Sequence, residues 1–301
     1  MAPRDPDLRR TWLFGPGASS DAHSAMVNSG ADVLIVDLED FTPPGRRDEA
    51  RKLLAQFVNQ AGKHGCMATV RINALEADGE NDLAAAMPLR PDAILYPMTE
   101  NIAQMHALDA ALARWESIVG TTVGETEIVP VCETALGVAD VRVIAKGSAR
   151  IRCALLGSED LANDLDAERT MDAAELDHAR RRFLLDCRAA RIEPIDAPYT
   201  FDDIEGAVRE AHFGRRLGYR SKSLVRTEHA QALTEVYTPS ARDLKRARGI
   251  VEAFEAARAR GEERTLVDGL WIEVPAYRKA KRLIERALRL QAISRSGGDE
   301  G

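Results

Sequence analysis

Short runs rich in Val, Ile and Leu recur along the chain, each followed by a longer segment with helical spacing of its apolar positions. The runs are Thr11–Phe14, Val33–Asp37, Ala68–Ile72, Ala93–Tyr96, Ile128–Cys132, Cys153–Leu156, Glu193–Ala197 and Lys222–Val225. Most are apolar without alternation, as expected of strands covered on both faces, which is what parallel sheets with helical crossovers require. Between them, Arg47–His64 is amphipathic, Asn101–Trp115 opens on a capping Asn, and Asp203–Leu217 stops at Gly218, so each reads as a helix. Eight βα units predict an α/β fold, a closed (β/α)8 TIM barrel. A doubly wound open sheet is the structural rival. It lacks its first-turn GxGxxG signature here, because Gly15-Pro16-Gly17 sets a proline where a phosphate-cradling turn needs a backbone N–H.

Past Val225 the pattern changes. An Ala/Arg/Glu-rich helix, Ser240–Arg260, leads through a Gly-containing loop to Trp271-Ile-Glu-Val-Pro275 and a basic helix reaching about Leu290. This divides the chain into a barrel over 1–235 and a C-terminal helical extension over 236–301, whose last residues, Ser296 to Gly301, read as a frayed tail.

Composition narrows the function classes. Hydrophobic residues make up 45% and charged ones 30%, enough for a real core, and 41 basic against 48 acidic residues leave a net charge of −7. Such a surface is not built to coat nucleic acid. The opening MAPRDPDLRR has no apolar segment after its charges, and no run approaches the roughly 20 apolar residues that cross a bilayer, so a cytoplasmic protein without membrane contact is expected. Cys66, Cys132, Cys153 and Cys187 lie far apart with no CxxC pair, and are read as reduced, mostly buried thiols.

Barrel enzymes carry their reacting groups just after each strand, so the polar residues there are the candidates. The second run ends in Asp37-Leu-Glu-Asp40, the third carries Arg71-Ile-Asn73, the fifth ends in Glu133-Thr134 and the sixth in Gly157-Ser-Glu-Asp160. Glu133 and Asp160 lie 27 positions apart, one βα repeat, and so cap neighbouring strands whose axes are roughly 4.8 Å apart. Two carboxylates there can share a cation, and hard oxygen ligands favour Mg2+ or Mn2+. The alternative for each is a helix cap or a pair with an Arg. Arg71 closes an inward-facing apolar run, where a guanidinium needs an anion; a substrate oxygen and an internal pair with Asp37 or Glu39 both meet that need. Strict alternation sets Asp37 and Glu39 on one face and Asp40 on the other, so that only one set lines the site. The six histidines fall on helices or helix ends, leaving no seat for a Ser-His-Asp triad. The Arg180-Arg-Arg182 run reads as a solvated helix face, and Trp12, Trp115 and Trp271 as packing residues, the last at a subunit contact.

Seven blocks together carry a family likeness: Arg10-Thr-Trp-Leu-Phe-Gly-Pro-Gly17, Gly30-Ala-Asp-Val-Leu-Ile-Val-Asp-Leu-Glu-Asp40, Val70-Arg-Ile-Asn73, Glu133-Thr-Ala-Leu-Gly-Val138, Leu156-Gly-Ser-Glu-Asp-Leu161, Gly214-Arg-Arg-Leu-Gly218 with Lys222-Ser-Leu224, and Val236-Tyr-Thr-Pro-Ser240. From Arg10 to about Leu290 the chain resembles the citrate lyase β-subunit-like family, which groups with HpcH/HpaI aldolases and malyl-CoA and citramalyl-CoA lyases. The resemblance implies a trimeric or hexameric (β/α)8 barrel in which Glu133 and Asp160 bind Mg2+. Arg71 would hold substrate oxygens, with Asp37, Glu39 and Gly157 beside it at the binding site. It further implies a base on the C-terminal arm of a neighbouring subunit, in an Ile-Asp-x-Pro setting that here reads Ile272-Glu273-Val274-Pro275. Glu273 keeps the carboxylate and adds a methylene. Three other places depart from the family pattern: Tyr96-Pro97-Met98 stands for Leu-Pro-Lys, Val225-Arg226-Thr227 for Ile-His-Pro, and Gly17-Ala18 for Gly-Asn.

The expected activity is Mg2+-dependent retro-Claisen cleavage of a β-hydroxyacyl-CoA, of citramalyl, malyl or citryl type, to an acyl-CoA and a 2-oxo acid. The partner is a small-molecule substrate, an acyl-CoA thioester or 2-oxo acid. A CoA-independent aldolase acting on a hydroxy-oxo acid and a non-catalytic barrel subunit of a larger complex are the alternatives.

Overall fold

The expected alternation of strand and helix is realised in a computed structural model that describes residues 4–296. Its elements run β1 Thr11–Pro16, α1 Ser20–Val27, β2 Val33–Asp37, α2 Arg47–Lys63, β3 Met67–Arg71, α3 Glu80–Ala86, β4 Ala93–Tyr96 and α4 Ile102–Val119. Then follow β5 Glu127–Cys132, α5 Ala135–Ile144, β6 Cys153–Leu156, α6 Glu159–Asp164, α7 Asp177–Ala190, β7 Glu193–Tyr199, α8 Ile204–Leu217, β8 Lys222–Leu224 and α9 Ala230–Tyr237. Strands β1 to β8 close in sequence order into a parallel barrel, with β8 returning to β1. Local chemistry sets the boundaries. Asn101 and Gln104 form a capping box at α4, Asp203 caps α8, and Gly218 ends α8 with φ +124°.

Two apolar layers follow from strand periodicity. Trp12, Phe14, Val33, Ile35, Leu95, Val129, Val131 and Leu155 fill the barrel interior, while the alternate positions Leu34, Val36, Val70, Ile94, Ala154 and Leu156 pack against the helices. Cys132, Cys153 and Cys187 are buried and Cys66 partly so, all as free thiols. Burial pushes the Cys66 thiol up to about 11.

The reading of Arg180-Arg-Arg182 as one solvated face is corrected. Arg180 is buried and clasps Asp196 of β7 through two hydrogen bonds of 2.9 and 2.6 Å, whereas Arg181 and Arg182 are exposed. A helix turns 100° per residue, so three consecutive arginines cannot share a face.

The chain has two compact units, Met1–Tyr237 and Thr238–Gly301. In the second, α10 Ala241–Ala259 and α11 Val274–Ser296 flank a hairpin of β9 Thr265–Val267 and β10 Leu270–Ile272. Periodicity alone left this hairpin as a loop. Its signal was Asp268-Gly269, both at positive φ, the pair that a two-residue hairpin turn demands. Phe254 of α10 stacks on Tyr277 of α11 at 4.8 Å. Trp271 is exposed on β10. The tail from Gly297 to Gly301 lies outside the described residues. Among the described residues no helix is long and apolar enough to cross a membrane.

Candidate active site

Strand register assembles the site. Asp37 and Arg71 are the last residues of β2 and β3 and are direct ladder partners, each two residues beyond an inward-facing position. Arg71 Nε and Nη2 donate to the two Asp37 carboxylate oxygens at 2.8 and 2.5 Å. The same carboxylate accepts the N–H groups of Glu39 and Phe41, both at 3.0 Å. Asp37 is therefore fully buried and spent on fixing Arg71 and the following turn. Glu39 lies 2.9 Å from Arg71 Nη1 and Asp40 3.8 Å from Nη2. Although burial opposes the charge, Asp37 and Glu39 hold the Arg71 guanidinium firmly protonated.

A cavity of about 310 Å3 opens at the carboxyl ends of the strands, lined by Phe14, Phe41, Asp40, Arg71, Glu133, Gly157, Asp160 and Thr200 among others. Asp40 is on its wall, and Asp37 and Glu39 sit behind Arg71, all three within reach of one guanidinium. Of the two sets only Asp40 lines the cavity, as expected, while the other set is turned to Arg71. β2 ends at Asp37, and residues 38–40 follow a bend to which period two does not apply. The guanidinium is also framed by Phe14 and Phe41, 5.1 and 5.9 Å from its carbon and edge-on to each other. Phe14 carried a readable signal, its inward parity on β1; Phe41 carried none.

Glu133 occupies the inward position two residues past Val131, buried, with Oε1 accepting the Met98 N–H at 2.9 Å. Met98 reaches it from a left-handed backbone, φ +45°. Gly157 is the next inward position on β6. A Cβ there would stand 2.5 Å from the Glu133 Cβ and 2.8 Å from its Oε2, so the glycine makes room for the carboxylate. Neither acid is spent as a helix cap of the expected kind, since Thr134 caps α5. Asp160 sits in the first turn of α6 and lines the same cavity as Glu133.

Burial raises the Glu133 pKa to about 7, with Asp160 and Glu39 adding repulsion that Arg71 and the Met98 N–H only partly offset. Asp160 is raised by burial and by Asp40, against Arg71. Glu39 is pushed to about 7 by burial and by Asp40 and Asp37, against Arg71. Glu159, an exposed residue, behaves oppositely: although partial desolvation opposes it, Thr200 at 2.7 Å and Arg169 at 2.9 Å hold it low. Carboxylates left this short of positive charge are suited to a cation. Among the described residues no cluster of three or more His, Cys, Asp or Glu side chains could hold a metal, so Glu133 and Asp160 would act as a pair. A pair fits Mg2+, which keeps waters and substrate oxygens in its remaining positions. Glu273 lies in the second unit, exposed between β10 and α11.

Residues 10–227 match the HpcH/HpaI aldolase/citrate lyase family. The chain belongs to that family. It is 32% identical to the citrate lyase subunit beta of Leuconostoc mesenteroides subsp. cremoris, over 93% of both chains. It is 29% identical to an L-malyl-CoA/beta-methylmalyl-CoA lyase of Cereibacter sphaeroides, over 94% of this chain and 96% of that one. Among solved structures, the citrate lyase beta subunit of M. tuberculosis complexed with oxaloacetate and magnesium is similar with a TM-score of 0.63 and 25% identity, over 77% of this chain and all of that one.

Proposed function

We propose that this chain is a Mg2+-dependent carbon–carbon lyase that cleaves, or forms, a β-hydroxyacyl-CoA. The carrying observation is the mouth itself, where the acids Glu133 and Asp160, both raised in pKa, stand beside a buried guanidinium. The names of the relatives, citrate lyase subunit beta and malyl-CoA lyase, agree with this reading, and so does magnesium in the M. tuberculosis structure.

Glu133 and Asp160 hold the cation, Mg2+ or Mn2+. When bound, it supplies Lewis-acid stabilisation of the oxyanion charge that develops at the substrate. Arg71, immobilised by Asp37 and Glu39, directs its remaining N–H groups at the substrate carboxylate or carbonyl oxygen. Phe14 and Phe41 keep water from the guanidinium and strengthen that contact. Glu273, from a neighbouring copy in a trimer or hexamer, takes the carbinol hydroxyl proton. The carbon–carbon bond then breaks, its electrons pass to the thioester fragment, and that carbon is reprotonated, giving an acyl-CoA and a 2-oxo acid.

A second reading, aldol cleavage of a free hydroxy-oxo acid, is favoured by Met98, which is 43% exposed beside Glu133 and brings no positive charge for a CoA phosphate. One experiment separates them. Purified protein is assayed on citramalyl-, malyl- and citryl-CoA and on the matching free acids, with Mg2+ and with EDTA. Cleavage of a thioester that EDTA abolishes is expected. Turnover of free acids alone selects the aldolase, and no turnover of either by metal-loaded protein rejects both in favour of a non-catalytic subunit.

A further inference from the structure

Strand β7 changes face halfway along, and the groups that hold the change lie on β7, on the neighbouring strand β8 and on the helices packed over them. Ile195 belongs to the inner layer, yet Ala197 and Tyr199, of the same parity, pack in the outer layer. Pro198 and Thr200 consequently line the cavity. The phase shift coincides with a bulge: Asp196 pairs with Lys222 and Tyr199 with Leu224, three steps on β7 against two on β8.

A bulge takes backbone groups off the ladder, and buried ones need other partners. The Ala197 N–H donates to Asp196 Oδ1 at 3.1 Å, and the Ala197 carbonyl accepts from Lys222 Nζ. Ser223 Oγ donates to the Asp196 carbonyl at 3.0 Å. Lys222 is fully buried and is held by Glu210 of α8 at 2.5 Å and Asp196 at 3.6 Å, with Arg180 completing the charge balance on Asp196. Two cations thus face two carboxylates, unlike the mouth.

We propose that Lys222 is a positioning residue for the mouth: by capping the Ala197 carbonyl it holds the β7 bulge that turns Pro198 and Thr200 into the cavity. Thr200 then donates to Glu159 at 2.7 Å, and together with Arg169 it fixes the carboxylate of this residue, next to Asp160 in sequence. Lys222 is not part of the lining of the mouth cavity and acts through this backbone. The inference rests on the mouth being the reacting site, as proposed above, and not on the choice of substrate.

The test uses the double variant Lys222→Met with Glu210→Met, which removes both charges together and so leaves no single buried ion. Its crystal structure is expected to have β7 and β8 in straight register, with Thr200 beyond hydrogen-bond reach of Glu159. A retained bulge with that contact intact overturns the proposal, whatever the enzyme's activity. For whichever substrate the wild type cleaves, kcat/KM is expected to fall roughly 10- to 100-fold, chiefly in kcat. Thr200→Val in the wild type is expected to cost on the order of 5-fold. In the double variant it should cost nothing further, because the contact is already lost. Full additivity would assign Lys222 a merely structural role and overturn the proposal. Absence of any turnover in the wild type would instead defeat the lyase reading, and the register of the variant would still decide this one.

Discussion

At the amino ends of the barrel strands, Asp32 lies between Arg4 and Arg10 at 2.6 and 2.7 Å, and Glu127 between Arg9 and Arg152 at 2.7 and 2.9 Å. At the carboxyl ends the proportion is reversed: Asp37, Glu39, Asp40, Glu133 and Asp160 gather around the single guanidinium of Arg71. Both ends bury charge, but with different results. Despite burial, Arg10 and Arg4 hold Asp32 below its usual range, while Glu133 and Glu39 are driven up to about 7. A matched cluster is finished when the chain folds. The unmatched one has room for a cation from solution, and that asymmetry supports the proposal that this end reacts.

The sharpest break in the comparison is Glu133→Gln. Removing half the proposed cation-binding pair should lower kcat/KM by about 1,000-fold or more, roughly 4 kcal/mol of lost charge stabilisation. The metal-free variant should unfold at an equal or higher temperature, because one of the repelling acids is gone. Steady-state kinetics with calorimetric Mg2+ titration and a thermal melt read the two effects.

The mirror-image change, Glu127→Gln, leaves Arg9 buried against a neutral partner. It should destabilise the fold by about 3 kcal/mol, with kcat per folded molecule unchanged. Urea unfolding and an assay on the folded fraction measure this, and an equal stability loss from Glu133→Gln would erase the contrast between the ends.

Stability should also depend on pH with opposite signs at the two ends. Glu133 takes up its proton near 7 when folded and near 4.5 when unfolded. The folded state therefore binds the extra proton between these values, and its stability contribution is lost as pH rises from about 4.5 to 7. Asp32, held below 3.8, contributes stability present above that value and lost as pH falls further. In EDTA, urea unfolding between pH 5 and 8 should reveal a decline of about 2 kcal/mol, which Mg2+ reduces by binding the ionised pair. A flat profile would mean that the mouth is not short of positive charge.

Gly157→Ala is the mildest change. Its Cβ displaces the Glu133 side chain, and Mg2+ affinity by calorimetry should weaken about 10-fold, near 1.4 kcal/mol. Unchanged affinity would mean that Glu133 does not hold the metal where it stands.

Much of this protein is written in local pattern. Unalternating apolar runs at βα spacing specify a closed parallel barrel, because such strands must be covered on both faces. The polar residue after each run is thereby placed at the mouth, so Arg71, Glu133, Gly157 and Asp160 were legible from sequence, as was the helix cap at Asn101. Other features depend on register and packing between distant segments, which no local periodicity encodes. Asp37 is sealed behind Arg71 because the two are ladder partners, and Asp40 reaches the wall because the chain bends after β2. Arg180 is buried because Asp196, on another element, awaits it. The face switch of β7 was invisible for the same reason. It arises where a lysine from β8 accepts the task of satisfying a carbonyl on its neighbour, and only the folded chain brings those two atoms together.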